Sequence, residues 1–209
     1  LRQLSNKSRS MIEEKISDSI NLDLIINSTH IVGLRQTANQ INSIICDCLP
    51  CSDKNLDIII SKPVDRYNNQ IIDNYNDPLK FKHYTNLPDL LTLQEGTRIM
   101  YLNNKLFEHG ICNRTIRIIT KLINEENIEI TFPVNDNITK ISVEKTTSHF
   151  TINGILASKE QYPIQNAFAL TVHKTQGLTL PQTTLTIDED MFADRQVYVA
   201  MSRALPGNQ

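Results

Sequence analysis

Hydrophobic positions along this chain follow two different periods, and the change from one to the other divides it. Met11, Ile12, Ile16 and Ile20 recur at near-helical spacing around Glu13, Glu14 and Lys15, which predicts a short helix over Ser10–Ile20. Ser28–Leu34 (STHIVGL) reads as a strand. From Thr37 to Leu49, Ala38, Ile41, Ile44, Ile45, Cys48 and Leu49 give a helix one apolar face. Thr37 and Gln40 stand at capping-box spacing, and Pro50 supplies the stop. A strand, a tight connection and a helix form the repeating unit of an α/β sheet.

Between Cys51 and Asn86 the period fades, and only short strands such as Asp57–Ile60 fit. So long a patternless stretch marks a missed element or a functional loop. Past Leu90 the period becomes two. Leu91–Leu93 lead into Gly96, and Arg98–Leu102 reads as a strand followed by a turn-rich loop at Asn103–Gly110. Asn113–Leu122 is a second strand, turning at Asn124–Asn127 into a third with Ile128, Ile130 and Phe132 on one side. Ile141 with Val143, then Phe150 with Ile152, repeat the alternation. Short strands without intervening helices predict a small antiparallel barrel or sandwich; the alternative is a meander on the edge of the main sheet.

The last part returns to α/β character. Phe168, Leu170 and Val172 predict a half-buried strand that runs into His173, Lys174, Thr175, Gln176 and Gly177. Thr183–Asp188 is another strand, and Asp194–Ala204 a helix with Val197, Ala200, Met201 and Ala204 on one face. Ligands of open parallel sheets sit at the carboxyl ends of strands, so the polar cluster after Val172 is where chemistry is expected.

Composition adds limits. The 209 residues suffice for one large domain or one domain carrying a smaller insertion, and 40% hydrophobic residues are compatible with a packed core. A net charge of −2 gives no whole-chain attraction to nucleic acid, so any such binding needs a local patch. Cys46, Cys48 and Cys51 form C-x-C-x2-C, but a zinc site would need its fourth ligand from Cys112 or a distant histidine, and simple thiols are the reading taken. No metal ligand is assigned. No apolar run approaches the ~18 residues of a membrane span, and no signal peptide opens the chain, which leads to an intracellular expectation.

Arg203, read alone, complements the negative end of its helix. Read with the upstream turn, it becomes a candidate arginine finger, a planar and permanently charged fork for a phosphoryl group. Gln176 and Gly177 can offer an amide and an unhindered backbone N–H to a phosphate. His173 and Lys174 can donate to phosphate oxygens of a nucleotide or a nucleic-acid backbone.

Leu170–Leu180 (LTVHKTQGLTL) and Tyr198–Ala204 (YVAMSRA) resemble the fifth and sixth motifs of superfamily-one DNA helicases of the PIF and RecD type. Leu93–Ile119 resembles the segment that opens the inserted barrel of these helicases, which is of the Src-homology-3 type. Ser28–Asn42 carries a weaker likeness to the fourth motif. The resemblance implies an α/β, RecA-like (P-loop NTPase-type) second motor domain with a parallel sheet, interrupted by the small barrel. Residues 1–88 would form its first part, 89–160 the barrel and 161–209 the remainder. Arg203 would be the catalytic finger, and Gln176, Gly177, Thr179 and Arg203 would contact ATP, used with magnesium ion. Thr171, His173 and Lys174 would lie along single-stranded DNA, with Arg98, Lys105, Arg114 and Arg117 of the barrel adding local positive charge. Solvated surface side chains are an equal reading of those barrel cations.

Three departures stand out, the first being the Arg35 region, which differs from the Pro-Thr-Asn of the family's fourth motif. Arg114 occupies the position where the family has Gly after Asn, and no G-x-x-x-x-G-K-[ST] occurs anywhere in the 209 residues. The expectation is therefore the C-terminal half of an ATP-dependent 5′-to-3′ DNA helicase, inactive as a fragment and completed by an N-terminal RecA-like domain of the same protein. Its DNA partners would be single strands and forks, and its location the nucleus in a eukaryote. The resemblance links it to DNA repair, recombination and telomere maintenance without selecting among them. A non-catalytic nucleic-acid-binding module, or a half of a RecD- or relaxase-type helicase, are the alternatives.

Overall fold

A computed structural model describes residues 22–49, 58–74, 79–134, 137–186, 199, 200 and 202. The helix expected over 10–20, Cys51, the acidic end of the Thr183–Asp188 strand, most of the Asp194–Ala204 helix and Arg203 lie outside these residues. The chain opens with α1 (Leu22–Asn27), β1 (Thr29–Val32) and α2 (Arg35–Asp47). Three short strands follow: β2 (Ile59–Ser61), β3 (Val64–Tyr67) and β4 (Gln70–Ile72). After a 3-10 turn at Phe81–His83 come β5 (Leu91–Leu93), β6 (Arg98–Tyr101), β7 (Ile116–Asn124), β8 (Asn127–Val134) and β9 (Asn137–Glu144). Then β10 (Thr146–Ile152), β11 (Ile155–Gln161), β12 (Ile164–Asn166) and β13 (Ala169–Thr171) lead into a single helical turn, α3 (Val172–Thr175), and β14 (Thr183–Leu185). The described residues contain no helix long and apolar enough to cross a membrane.

The chain divides into two compact units, one made of the residues up to Cys48 and from Phe168 on, the other of Leu49–Ala167. The first is α/β. Its three strands run parallel in the order β13-β1-β14, with His30 opposite Ala169 and Thr184. Parallel strands buried on both faces need near-continuous apolar runs. That is why Phe168, Ala169 and Leu170 are all buried, where alternation suggested a half-buried strand. Val172 no longer belongs to the strand; it opens α3.

Helix α2 lays Ala38, Ile41, Ile45 and Cys46 into the core. It begins two residues earlier than its apolar pattern suggests. Thr37 therefore sits inside the first turn, the N-cap is Leu34, and no side chain caps it; the capping box is not formed. One polar residue faces inward: Asn42 Nδ2 donates to the Ala169 carbonyl at 2.9 Å, and the Ala169 N–H donates to Asn42 Oδ1 at 2.8 Å. Among the described residues Ala169 is on the outer strand of the sheet, and the Asn42 amide stands where a further strand would pair.

The second unit is built of strands. Among the described residues it contains a five-stranded antiparallel sheet in the order β12-β6-β7-β8-β9, a four-stranded sheet β10-β11-β3-β4 and the pair β2-β5. These are open sheets, and the described strands close no barrel. The further strand expected at Phe150 and Ile152 is β10, which turns back at Asn153-Gly154, both with positive φ (50° and 80°), and pairs with β11. A two-residue Asn-Gly loop of this kind matches the twist of a tight hairpin. The main core joins Leu91, Ile99, Ile119, Ile128, Ile130 and Tyr162, all buried. Residues 58–72, where no period was legible, supply β2, β3 and β4 to this unit.

Replacing Asn42 by Ala leaves two buried backbone groups of Ala169 without partners. The expected loss is about 2–4 kcal/mol, read as a lower urea midpoint with an unchanged slope. A parent-like midpoint would show that the outer edge of β13 is satisfied in some other way.

Candidate nucleotide and nucleic-acid interface

The carboxyl ends of β1 and β13 lie side by side, with Val32 opposite Thr171. From Thr171 the chain makes one helical turn and then reverses at Gly177. Within that turn the side chains separate by helical phase: Val172 and Thr175 are buried, while His173 and Gln176, three apart, are exposed. The inner pair holds the turn. Val172 packs inward, and Thr175 Oγ1 donates to the Val172 carbonyl at 2.8 Å. Leu178 N–H donates to the Thr175 carbonyl at 3.0 Å, and Leu180 re-enters the core. The Thr175 hydroxyl therefore serves the fold, whereas its neighbours His173 and Gln176 face solvent.

Gly177 has φ +78°, the left-handed region where a side chain costs energy. Its backbone is exposed, as are Gln176 and Thr179, while Thr171 and Lys174 are half-buried. The same sheet edge carries two residues of the fourth-motif segment to which no role was assigned. Arg35 and Gln36, exposed at the start of α2, follow directly on the end of β1. The available signal was their position: they come straight after a strand's carboxyl end.

The cations of the second unit behave differently. Arg98 on β6 pairs with Ile118, while Arg117 on β7 pairs with Ile99. Successive residues of a strand point to opposite faces, so the two arginines do not share a face. Burial lowers the pKa of each guanidinium from its usual value, although an arginine stays charged. Arg117 Nη1 donates to the carbonyl of Ile116 at 2.6 Å. Lys105 Nζ donates to Thr146 Oγ1 at 2.8 Å. Arg114 has φ +72°, so the loop keeps the left-handed conformation that a glycine would supply, and its N–H donates to the Tyr101 carbonyl at 2.7 Å. The tyrosine pKa at Tyr101 is raised by burial, partly offset by a hydrogen bond with Asn103.

The exposed Gln176 amide and Gly177 N–H offer donors to phosphate oxygens. Among the described residues no group of three His, Cys, Asp or Glu side chains could hold a metal ion. Cys46 is buried and Cys48 half-buried, as free thiols.

Fold and edge together define a class, the RecA-like helicase lobe. A family model described as the viral superfamily 1 RNA helicase core domain matches residues 76–206, and the chain belongs to that superfamily-one helicase family, as a member of PIF type. It is 32% identical over 133 residues to the ATP-dependent DNA helicase Pif1 of Campylobacter jejuni, covering 59% of this chain and 29% of that protein. With human ATP-dependent DNA helicase PIF1 the identity is 31% over 116 residues, covering 55% and 18%. The chain thus spans less than a third of these relatives. The crystal structure of Pif1 helicase from Candida albicans shares the fold with a TM-score of 0.66 at 22% identity, over 86% of this chain and 43% of that one. Bacteroides Pif1 bound to single-stranded DNA gives 0.60 at 22% identity, over 98% and 48%.

An added Cβ at Gly177 would meet nothing within 4 Å, so Gly177→Ala isolates the backbone term. It should cost about 1–2 kcal/mol in chemical denaturation, and Gly177→Asn less. Equal, negligible losses in both would show that the turn relaxes out of its left-handed conformation.

Proposed function

We propose that this chain is the second motor lobe of an ATP-dependent DNA helicase that moves 5′-to-3′ on single-stranded DNA and opens duplexes. The observation that carries the reading is the turn after β13, which exposes His173 and Gln176 beside the free backbone of Gly177 while burying Val172 and Thr175. Such a turn presents donors to a phosphate on a rigid support. In this reading Gln176, Gly177 and Thr179 face the nucleotide, and Thr171, His173 and Lys174 hold the DNA backbone. Arg203 reaches the terminal phosphate from the sixth motif. ATP hydrolysis, with magnesium, would supply the free energy for lobe closure. The chain's own residues sense whether a phosphate is present and pass that state to the DNA side through one helical turn.

The P-loop and its magnesium carboxylate belong, on this proposal, to an N-terminal RecA-like lobe of the same protein. That assignment is supported by the small share of the relatives' length that this chain spans. Residues 1–88 and 161–209 are assigned to the motor fold and 89–160 to an inserted module of the barrel type. The compact strand unit starts earlier, at Leu49. Bacteroides Pif1 has been seen with single-stranded DNA, and two Pif1 helicases coordinate at forked DNA, which supports these partners here. An intracellular setting, nuclear in a eukaryote, follows from a DNA substrate. The absence of G-x-x-x-x-G-K-[ST] from the 209 residues favours one second reading, a lobe that binds nucleic acid without hydrolysing ATP.

In a protein carrying both lobes, Arg203→Ala should lower DNA-stimulated ATP hydrolysis about a thousandfold. Weak single-strand binding should remain nearly intact. Unchanged hydrolysis would remove Arg203 from the site, and no hydrolysis by the unaltered protein would leave the second reading in place.

A further inference from the structure

On the strand unit, three aromatic rings form a ladder from core to surface. Phe81 is fully buried. Phe150, half-buried on β10, meets it edge to face, with centroids 4.9 Å apart and planes at 87°. Tyr84 then stacks on Phe150 at 5.4 Å and 10°. Tyr84 is 46% exposed although one ring face is covered, so its exposure comes from the opposite face and the edge.

The ladder is held before anything binds. His83 N–H donates to the Lys80 carbonyl at 2.9 Å and Tyr84 N–H to the Phe81 carbonyl at 2.8 Å. Downstream, Asn86 Nδ2 donates to the Leu102 carbonyl at 2.9 Å, and Leu87 is buried. Lys80, Lys82 and His83 are exposed on the same turn, and Leu79–Pro88 contains no acidic residue. The next acid, Asp89, is engaged by the buried Lys159. Lys80 itself has φ +56°, a left-handed conformation uncommon for a long side chain.

An exposed ring on a supported turn that also carries two exposed lysines is an arrangement that can take an unpaired base on the ring and its phosphates on the ammonium groups. A chain of net charge −2 needs such a local grouping. We propose that Tyr84, backed by Phe150 and Phe81, is a stacking subsite for single-stranded DNA, with Lys80 and Lys82 contacting the flanking phosphates. The inference rests on the DNA-binding reading above, and it adds a contact surface that none of the helicase motifs contains.

The test is fluorescence anisotropy of labelled oligo-dT with the 209-residue chain over a salt series. Tyr84→Leu keeps an apolar cover over Phe150 and should weaken binding about tenfold, while Tyr84→Phe should restore it. Lys80→Ala with Lys82→Ala, both at exposed positions, should reduce the logarithmic salt slope by about 1.4. A His173→Ala, Lys174→Ala variant separates the two claims. If it weakens binding while the Tyr84 and lysine variants behave as the parent, the subsite is wrong and the DNA-binding reading stands. No measurable binding of the unaltered chain would overturn both.

Discussion

The two hydrogen bonds between Asn42 and Ala169 carry more of this structure than their number suggests. β13 is three residues long, and it sets the direction in which His173 and Gln176 leave the sheet. On one side it pairs with β1 through His30, Ile31 and Val32. On the other, among the described residues, it has no strand, only the Asn42 side chain, which bonds both the N–H and the carbonyl of Ala169. Slipping β13 by one residue would exchange its faces and carry α3 to a different orientation. A buried amide that fits one register and no other opposes that slip, because the misplaced backbone groups would stay unpaired. The position of the turn after β13 is therefore fixed from a helix more than a hundred residues earlier in the chain.

That sequence separation shapes how the fold is reached. Asn42 and Ala169 are 127 residues apart, with the whole strand unit between them. Closing a loop of that length is entropically costly, and topologies rich in such contacts fold slowly. The strand unit lightens the problem by having its own core around Ile119, Ile128 and Tyr162. It also has its own polar ties. Gln161 bonds the Ser61 hydroxyl at 2.8 Å and the Ser61 carbonyl at 3.1 Å, joining β11 to β2. Buried polar pairs of this kind favour one arrangement of strands over its neighbours, since each partner left alone would cost about 1–3 kcal/mol.

Where the sequence was legible, a period or a motif was strong. β1, β6 and the β7–β8 hairpin at Asn124–Asn127 follow directly from alternation and turn residues. The strand-turn element at Leu170–Gly177 stood out because polar groups crowd one strand end. Other features were hidden for physical reasons. β3 and β4 are four and three residues long, too short to show alternation, and their Asn68-Asn69 turn relies on positive φ at two asparagines. The Asn153-Gly154 turn was not singled out, although the dipeptide suits a tight two-residue hairpin. Thr37 and Gln40 had capping-box spacing, but the helix started earlier because Leu34 already stands in an extended conformation at its N-cap. Lys159 is fully buried, which no hydropathy pattern foretells; its ammonium reaches the rim at Asp89.

Charge placement decides how much of the site could ever be read from composition. At physiological ionic strength a charge is felt over about 8–10 Å, so cations help a phosphate chain only when they stand together on one surface. Arg98 and Arg117 are neighbours in the sheet but point to opposite faces, and burial disfavours the charged form of both. Lys105 is bonded to Thr146. Counting basic residues in the strand unit therefore overstates its attraction for a strand of DNA. What matters is whether neighbouring cations lie on one turn beside an open ring, or at one strand end beside a free backbone N–H. Alternating geometry disperses the first group; a 3-10 turn and a single α-helical turn keep the others within a few residues of chain. The 3-10 turn at Phe81–His83, with Lys80 and Lys82 exposed, is thus a place where a weakly acidic chain can still present local positive charge.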